Sequence, residues 1–149
     1  MITPSDDMIP VFAATELKLH PDEYSIVSLS VEDQGKALEL FKPLDPFCSV
    51  TVDSDEVSLI LKAGDWGILM DDFHDYEVEG PYRVITFDIV LDLGLVGYLS
   101  VVSAVLAEAG ISIYAVSTYL RDHILVKSGD APRAMQVLGE LVERNSTTN

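Results

Sequence analysis

The chain has 149 residues, 48% of them hydrophobic, and 9 basic against 25 acidic residues give a net charge of −16. That length and apolar content suffice for one globular domain, or for two small units sharing a core, and argue against disorder away from the ends. The charge repels nucleic-acid phosphates and anionic membrane surfaces, so neither is an expected partner.

Residues 1–10 read as a loose arm. A short strand is expected near 16–19, ended by Pro21-Asp22, and a better one over 24–31 (YSIVSLSV), where Ile26, Val27, Leu29 and Val31 stand on a β-branched background. Residues 32–41 form a short helix with Ala37, Leu38 and Phe41 on one face, weakened by Gly35. A hairpin follows over 47–52 and 57–61, with a turn (Asp53-Ser54-Asp55-Glu56) whose side chains bond their own backbone. Trp66, Leu69, Met70 and Phe73 recur at helical spacing, although Gly64 and Gly67 count against a long helix. The acidic stretch 76–81 (YEVEGP) reads as a connector between halves.

The second half is patterned more sharply. Val84, Ile85, Phe87, Ile89 and Leu91 predict a strand over 83–91. Leu95, Leu99, Val102, Leu106 and Ala109 predict a helix that Gly110 ends. Strands are expected over 111–119 and 123–127, then a helix capped by Asp130 with Ala134, Val137, Leu138 and Leu141 as its apolar stripe, and a frayed polar tail over 145–149. Both halves therefore read β-α-β-β-α, an α+β arrangement with helices on one face of an antiparallel sheet. Neither half shows a fourth strand of its own, and residues 16–19 are positioned to supply one.

The compartment follows from small signs. Cys48 is the single cysteine, so no intramolecular disulfide forms, as fits a reducing environment. The start, MITPSDDM, has no basic stretch followed by an apolar one, so no secretory signal is read there. The most apolar run, 93–107, is shorter than the roughly 20 residues that span a bilayer and reads as a buried helix. A soluble, cytoplasmic protein is expected.

The second half resembles the ACT domain, a small ligand-binding regulatory fold, and is closest to compact proteins built from two such units. These are related to the regulatory region of aspartate kinases and to cytosolic arginine sensors. The resemblance rests on VITFDIVLDLGLVG from Val84, LAEAGISIYAVSTY from Leu106, DHILV from Asp122 and APRAMQVLGEL from Ala131, with FCSVTVDSDEVSLIL from Phe47 resembling the central hairpin of the first unit. It implies two ferredoxin-like units, a degenerate one over 1–78 and a second over 79–149. It also implies an amino acid or similar small molecule as ligand. Carried onto this chain, the family's site falls on Asp92, Gly94, Leu95, Val96 and Gly97 in the loop and on Ser117, Thr118 and Tyr119 of the following strand, with Asp122 just beyond. The facing surface would come from near Ser49 and Val50, or from a second chain. In arginine-sensing relatives an acidic residue at the position resembling Asp122 meets the cationic end of the ligand.

The chemistry of these residues suits an α-amino acid without a cofactor. A helix start offers unpaired N–H groups and a partial positive charge to a carboxylate. Gly94 and Gly97 let the backbone approach a ligand. Asp122 suits an ammonium or guanidinium, with Thr118 as a hydroxyl partner. The plainer alternative is that the glycines make a tight turn, that Asp122 bonds its own backbone and that Thr118 and Tyr119 are ordinary strand residues.

Other chemistry is not expected. DLGLVG is no phosphate loop, because no Lys follows it. Asp71-Asp72-Phe73-His74-Asp75 reads as solvated surface, residues 53–56 as a turn lacking the Gly and closing Glu of a calcium loop, and Cys48 as a packed strand residue. With no catalytic constellation, no cofactor and no metal cluster, the chain reads as a non-enzymatic sensor or allosteric regulator, a homodimer or a module docking on a regulatory partner. The alternative is a ligand-free structural or protein-interaction module.

Overall fold

The computed structural model describes residues 2–146 and divides into two compact units. The central unit is Pro21–Tyr82; the terminal unit combines Met1–His20 with Arg83–Asn149.

In the central unit, β2 (Tyr24–Leu29) leads through a 3-10 turn into α2 (Gln34–Phe41), then β3 (Ser49–Val52), β4 (Val57–Lys62) and α3 (Ala63–Leu69). The first part of β5 (Tyr76–Asp88) closes the unit, and the strand order is β3-β4-β2-β5. The hairpin turn forms as its residues suggest: the Asp53 carboxylate accepts the N–H groups of Asp55 and Glu56 at 2.7 and 2.8 Å. Val27, Leu29, Ala37, Val57, Leu59, Leu61, Trp66 and Phe73 make the core. Trp66 stacks on Phe73 with ring centroids 5.9 Å apart and meets Tyr76 edge-on at 5.0 Å. The expected apolar face of α2 is narrower than read, because Ala37 is buried while Leu38 is 46% exposed.

The terminal unit holds α1 (Ile9–Ala14), β1 (Glu16–Leu19), the rest of β5, α4 (Tyr98–Glu108), β6 (Tyr114–Ser117), β7 (Asp122–Lys127) and α5 (Ala131–Ser146). Its strand order is β1-β5-β7-β6. β1 pairs antiparallel with Ile85, Thr86, Phe87 and Asp88, and so supplies the fourth strand from the start of the chain. Ile85, Phe87, Ile124 and Val126 alternate toward a core shared with Val102 and Leu106 of α4 and with Ala134, Leu138 and Leu141 of α5. Gly110, at φ +75°, ends α4 as its sequence position suggests.

Several expectations change. Residues 2–10 are not a loose arm: Pro4 and Met8 are buried and Ile9 opens α1, whose Phe12 stacks on Tyr98 at 4.5 Å between centroids. The stretch 76–81 is strand rather than connector, because Tyr76, Glu77, Val78 and Glu79 pair with Leu29, Ser28, Val27 and Ile26. The units consequently meet in sequence after Tyr82, not after residue 78, and residues 1–20 group with the C-terminal part through the β1–β5 pairing. β5 ends at Asp88, α4 begins three residues after Leu95, and β6 covers only four residues of the expected 111–119. In the tail, Asn145 and Ser146 continue α5, with the Asn145 amide donating to the Leu141 carbonyl at 2.6 Å; residues 147–149 lie outside the described residues.

Candidate functional site: a cleft in the terminal unit

β5 points its C-terminal end at the start of α4, and the loop between them runs beside the tight turn joining β6 to β7. A cleft of about 280 Å³ opens there, near the lower bound of roughly 300 Å³ usual for small-molecule sites. The Leu91 N–H donates to the Leu120 carbonyl at 2.9 Å and ties the loop to the turn.

Local chemistry builds each wall. In the loop, the Asp92 carboxylate accepts the Gly94 N–H at 2.7 Å and the Asp92 carbonyl accepts the Leu95 N–H at 2.9 Å. Gly97 caps α4 at φ +101°, in the left-handed region that glycine enters without strain. No side chain caps this helix, and its first N–H groups have no intrahelical acceptor. On the other wall, the Ser117 hydroxyl donates to the Asp122 carboxylate at 2.6 Å. Thr118 closes the turn, its N–H and its hydroxyl both donating to the Arg121 carbonyl, at 2.9 and 3.0 Å.

Charges stiffen the turn further. The Arg121 Nε donates to Asp88 at 2.8 Å, and Lys18 reaches the other oxygen of the same carboxylate at 2.9 Å. Lys18 first, and Arg121 second, hold the Asp88 carboxyl below the usual carboxylate range. The floor is Tyr98. Its hydroxyl lies 2.8 Å from that of Thr15, whose own proton goes to the Val11 carbonyl, so Tyr98 donates. Burial pushes the Tyr98 phenol up to about 12.

Of the residues expected to bind, Asp92, Leu95, Gly97, Ser117, Thr118, Tyr119 and Asp122 line the cleft. Gly94 shapes the loop, while Val96 is 84% exposed and outside the lining. Ser49 and Val50 lie on β3 of the central unit, paired with Ile60 and Leu59. The sequence reading missed Tyr98, Arg121 and Ser100. Tyr98 sits at the first helical position after Gly97, which was a usable signal; Arg121 had none, because its partner is on another strand. Asp122 bonds the Ser117 side chain rather than its own backbone.

Thr118 is no activated nucleophile. Its proton is committed to a carbonyl, so the 3.3 Å contact with His123 Nε2 makes the imidazole the donor. Elsewhere, burial pushes the Cys48 thiol up, away from reactivity. Among the described residues no group of three or more His, Cys, Asp or Glu side chains is arranged to hold a metal ion, and no helix is long and apolar enough to cross a membrane.

The sequence profile of the ACT domain matches residues 77–140, the stretch that carries both walls of the cleft. Over that stretch the chain is similar to an ACT domain. Among solved structures, an Agrobacterium tumefaciens protein matches at 25% identity and TM-score 0.71, over 86% of this chain and 89% of its own. A Vibrio cholerae protein of unknown function, described as a possible transport protein, matches at 24% identity and TM-score 0.70, over 88% and 92%. The regulatory subunit of aspartate kinase from Thermus flavus shares the fold at 11% identity and TM-score 0.58, over 84% and 95%. Among curated proteins none matches.

Proposed function

We propose that the cleft of this ACT-like stretch binds a free amino acid and that the chain is a non-catalytic, cytoplasmic regulator responding to it. The observation that carries the reading is the convergence on one small cleft of the α4 N-terminus and the Asp122 carboxylate. An α-carboxylate suits the unpaired N–H groups, and an ammonium or a basic side chain suits Asp122. The binding residues are Asp92, Leu95, Gly97, Ser117, Thr118, Tyr119 and Asp122, with Gly94 and Val96 shaping the loop. The central unit, whose elements run β-α-β-β-α-β, is a second, degenerate ACT-type unit, with Ser49 and Val50 on its own β3. The likeness to a regulatory subunit supports a role in control rather than turnover. The chain acts as a homodimer or docked on the protein it controls.

A second reading has its own support. Leu93, Val96, Tyr119 and Leu120 are exposed around the cleft mouth, as in a surface that meets another protein without a ligand. A thermal-shift panel of the twenty amino acids separates the two. A ligand at 100 times its dissociation constant adds about 2.7 kcal/mol of stability. No shift for any amino acid at millimolar concentration overturns the first reading.

A further inference from the structure

Behind the Thr118 turn a line of polar side chains crosses three strands on the sheet face away from the helices. His20, at the end of β1, places Nε2 2.7 Å from the Thr86 hydroxyl on β5. That hydroxyl lies 2.8 Å from Nδ1 of His123 on β7, whose Nε2 meets Thr118 at 3.3 Å. Thr86 and His123 are both buried.

The directions of these bonds follow from proton counting. Thr118 spends its proton on the Arg121 carbonyl, so His123 Nε2 carries hydrogen and donates. In the neutral ring Nδ1 is then an acceptor and takes the Thr86 proton. The Thr86 oxygen is left to accept, and His20 Nε2 donates to it. A proton added to His20 leaves every one of these bonds intact. A proton added to His123 with His20 neutral is met by reversing the line: the His20 hydrogen moves from Nε2 to Nδ1, and Thr86 donates to Nε2. With both rings charged, two N–H groups point at one hydroxyl whose proton neither ring accepts, and a His123 ring that turns to relieve this carries Nε2 off Thr118.

We propose that this line is a two-proton latch on the cleft: residues 118–122 stay in place while His20 and His123 hold no more than one added proton between them, and are released when both are charged. The charged groups around His123 agree with such a limit. Burial first, and His20 second, push its proton affinity down; Arg121 adds to this and Asp122 opposes it. Asp88, on the neighbouring strand, is already held between Lys18 and Arg121, and the Arg83 guanidinium on β5 donates to the His20 carbonyl at 3.0 and 2.6 Å, a second cation set against a charge on His20. The latch concerns the cleft assigned above to an amino acid, but its test uses the ligand-free chain, so failure of one does not imply failure of the other.

The experiment is an NMR pH titration of the full chain, following the imidazole resonances of His20 and His123 and the amides of residues 118–122, with His74→Gln to simplify the spectrum. The turn amides are expected to hold still through the first protonation and to move with the second. His20→Gln should abolish that movement while His123 still titrates, because a glutamine amide can either donate to Thr86 or accept from it. Thr86→Val should displace the turn amides at every pH, and Thr86→Ser should restore them. Turn amides that follow the first proton, or a low-pH movement that survives in His20→Gln, would overturn the latch.

Discussion

Arg121 donates from Nε to Asp88 at 2.8 Å, joining the turn of the cleft to the end of β5. Lys18 of β1 holds the second oxygen, so one carboxylate bridges an N-terminal strand and a wall of the cleft. The Asp88 carboxyl is depressed in the folded state and titrates at its ordinary value in the unfolded chain. The unfolded state therefore binds more protons through the acid range. The stabilisation is complete above the ordinary carboxylate range and is lost as pH falls through the folded value. Asp88→Asn should lower stability at neutral pH and flatten the decline toward acid, read by urea unfolding at several pH values. Because both pairs are partly exposed, added salt should shrink the difference. A variant as steep in acid as the parent would remove Asp88 from the account.

Phe12 tests whether the start of the chain belongs to the core. It is 1% exposed and stacks on Tyr98, the floor of the cleft. Phe12→Ala should cost about 3–5 kcal/mol in chemical denaturation, the usual penalty for emptying an aromatic core position. A loss below about 1 kcal/mol would return this segment to the status of a loose arm.

Gly97 stands at φ +101°, with nothing within 4 Å of the position a Cβ would take. Space is therefore no obstacle, and the cost of Gly97→Ala is conformational, about 1–2 kcal/mol for an L-residue forced to positive φ. Relief of that strain would move the first N–H groups of α4. Calorimetry should show lower stability together with weakened binding of any amino acid found by the thermal-shift panel. Unchanged stability would show that the left-handed cap is dispensable.

Asp122 tests whether the cleft takes a cationic group. Its carboxylate accepts the Ser117 hydroxyl and keeps further acceptor capacity at the cleft. Asp122→Asn preserves size and removes charge, so a thermal shift produced by a basic amino acid should vanish. Shifts from neutral amino acids, whose carboxylate would rest at the helix start, should weaken less. A basic ligand that binds the variant as well as the parent would take Asp122 out of the site.

Much of this was legible in the residues. The Asp53 turn, the Gly110 stop and the alternation of Ile85 and Phe87 are local, and local preference agrees with the fold at each. The two walls of the cleft could be named because each is a short contiguous stretch. Boundaries were less readable. Leu95 has helical spacing with Leu99 and Val102, yet α4 waits for Gly97, because Asp92 captures the loop backbone first. The stretch 76–81 reads as a connector because Gly80-Pro81 looks like a turn, whereas the ladder with β2 runs past it with a register shift.

Periodicity, turn chemistry and glycine placement thus determined the order of elements, because each acts over a few residues. The tertiary structure alone decided that β1 belongs beside β5, that Tyr98 is a floor rather than a surface residue, and that His20 reaches Thr86 across 66 positions of chain. Strand partners and side-chain bonds of that separation depend on which surfaces the whole chain can bury together. No window of sequence records that choice.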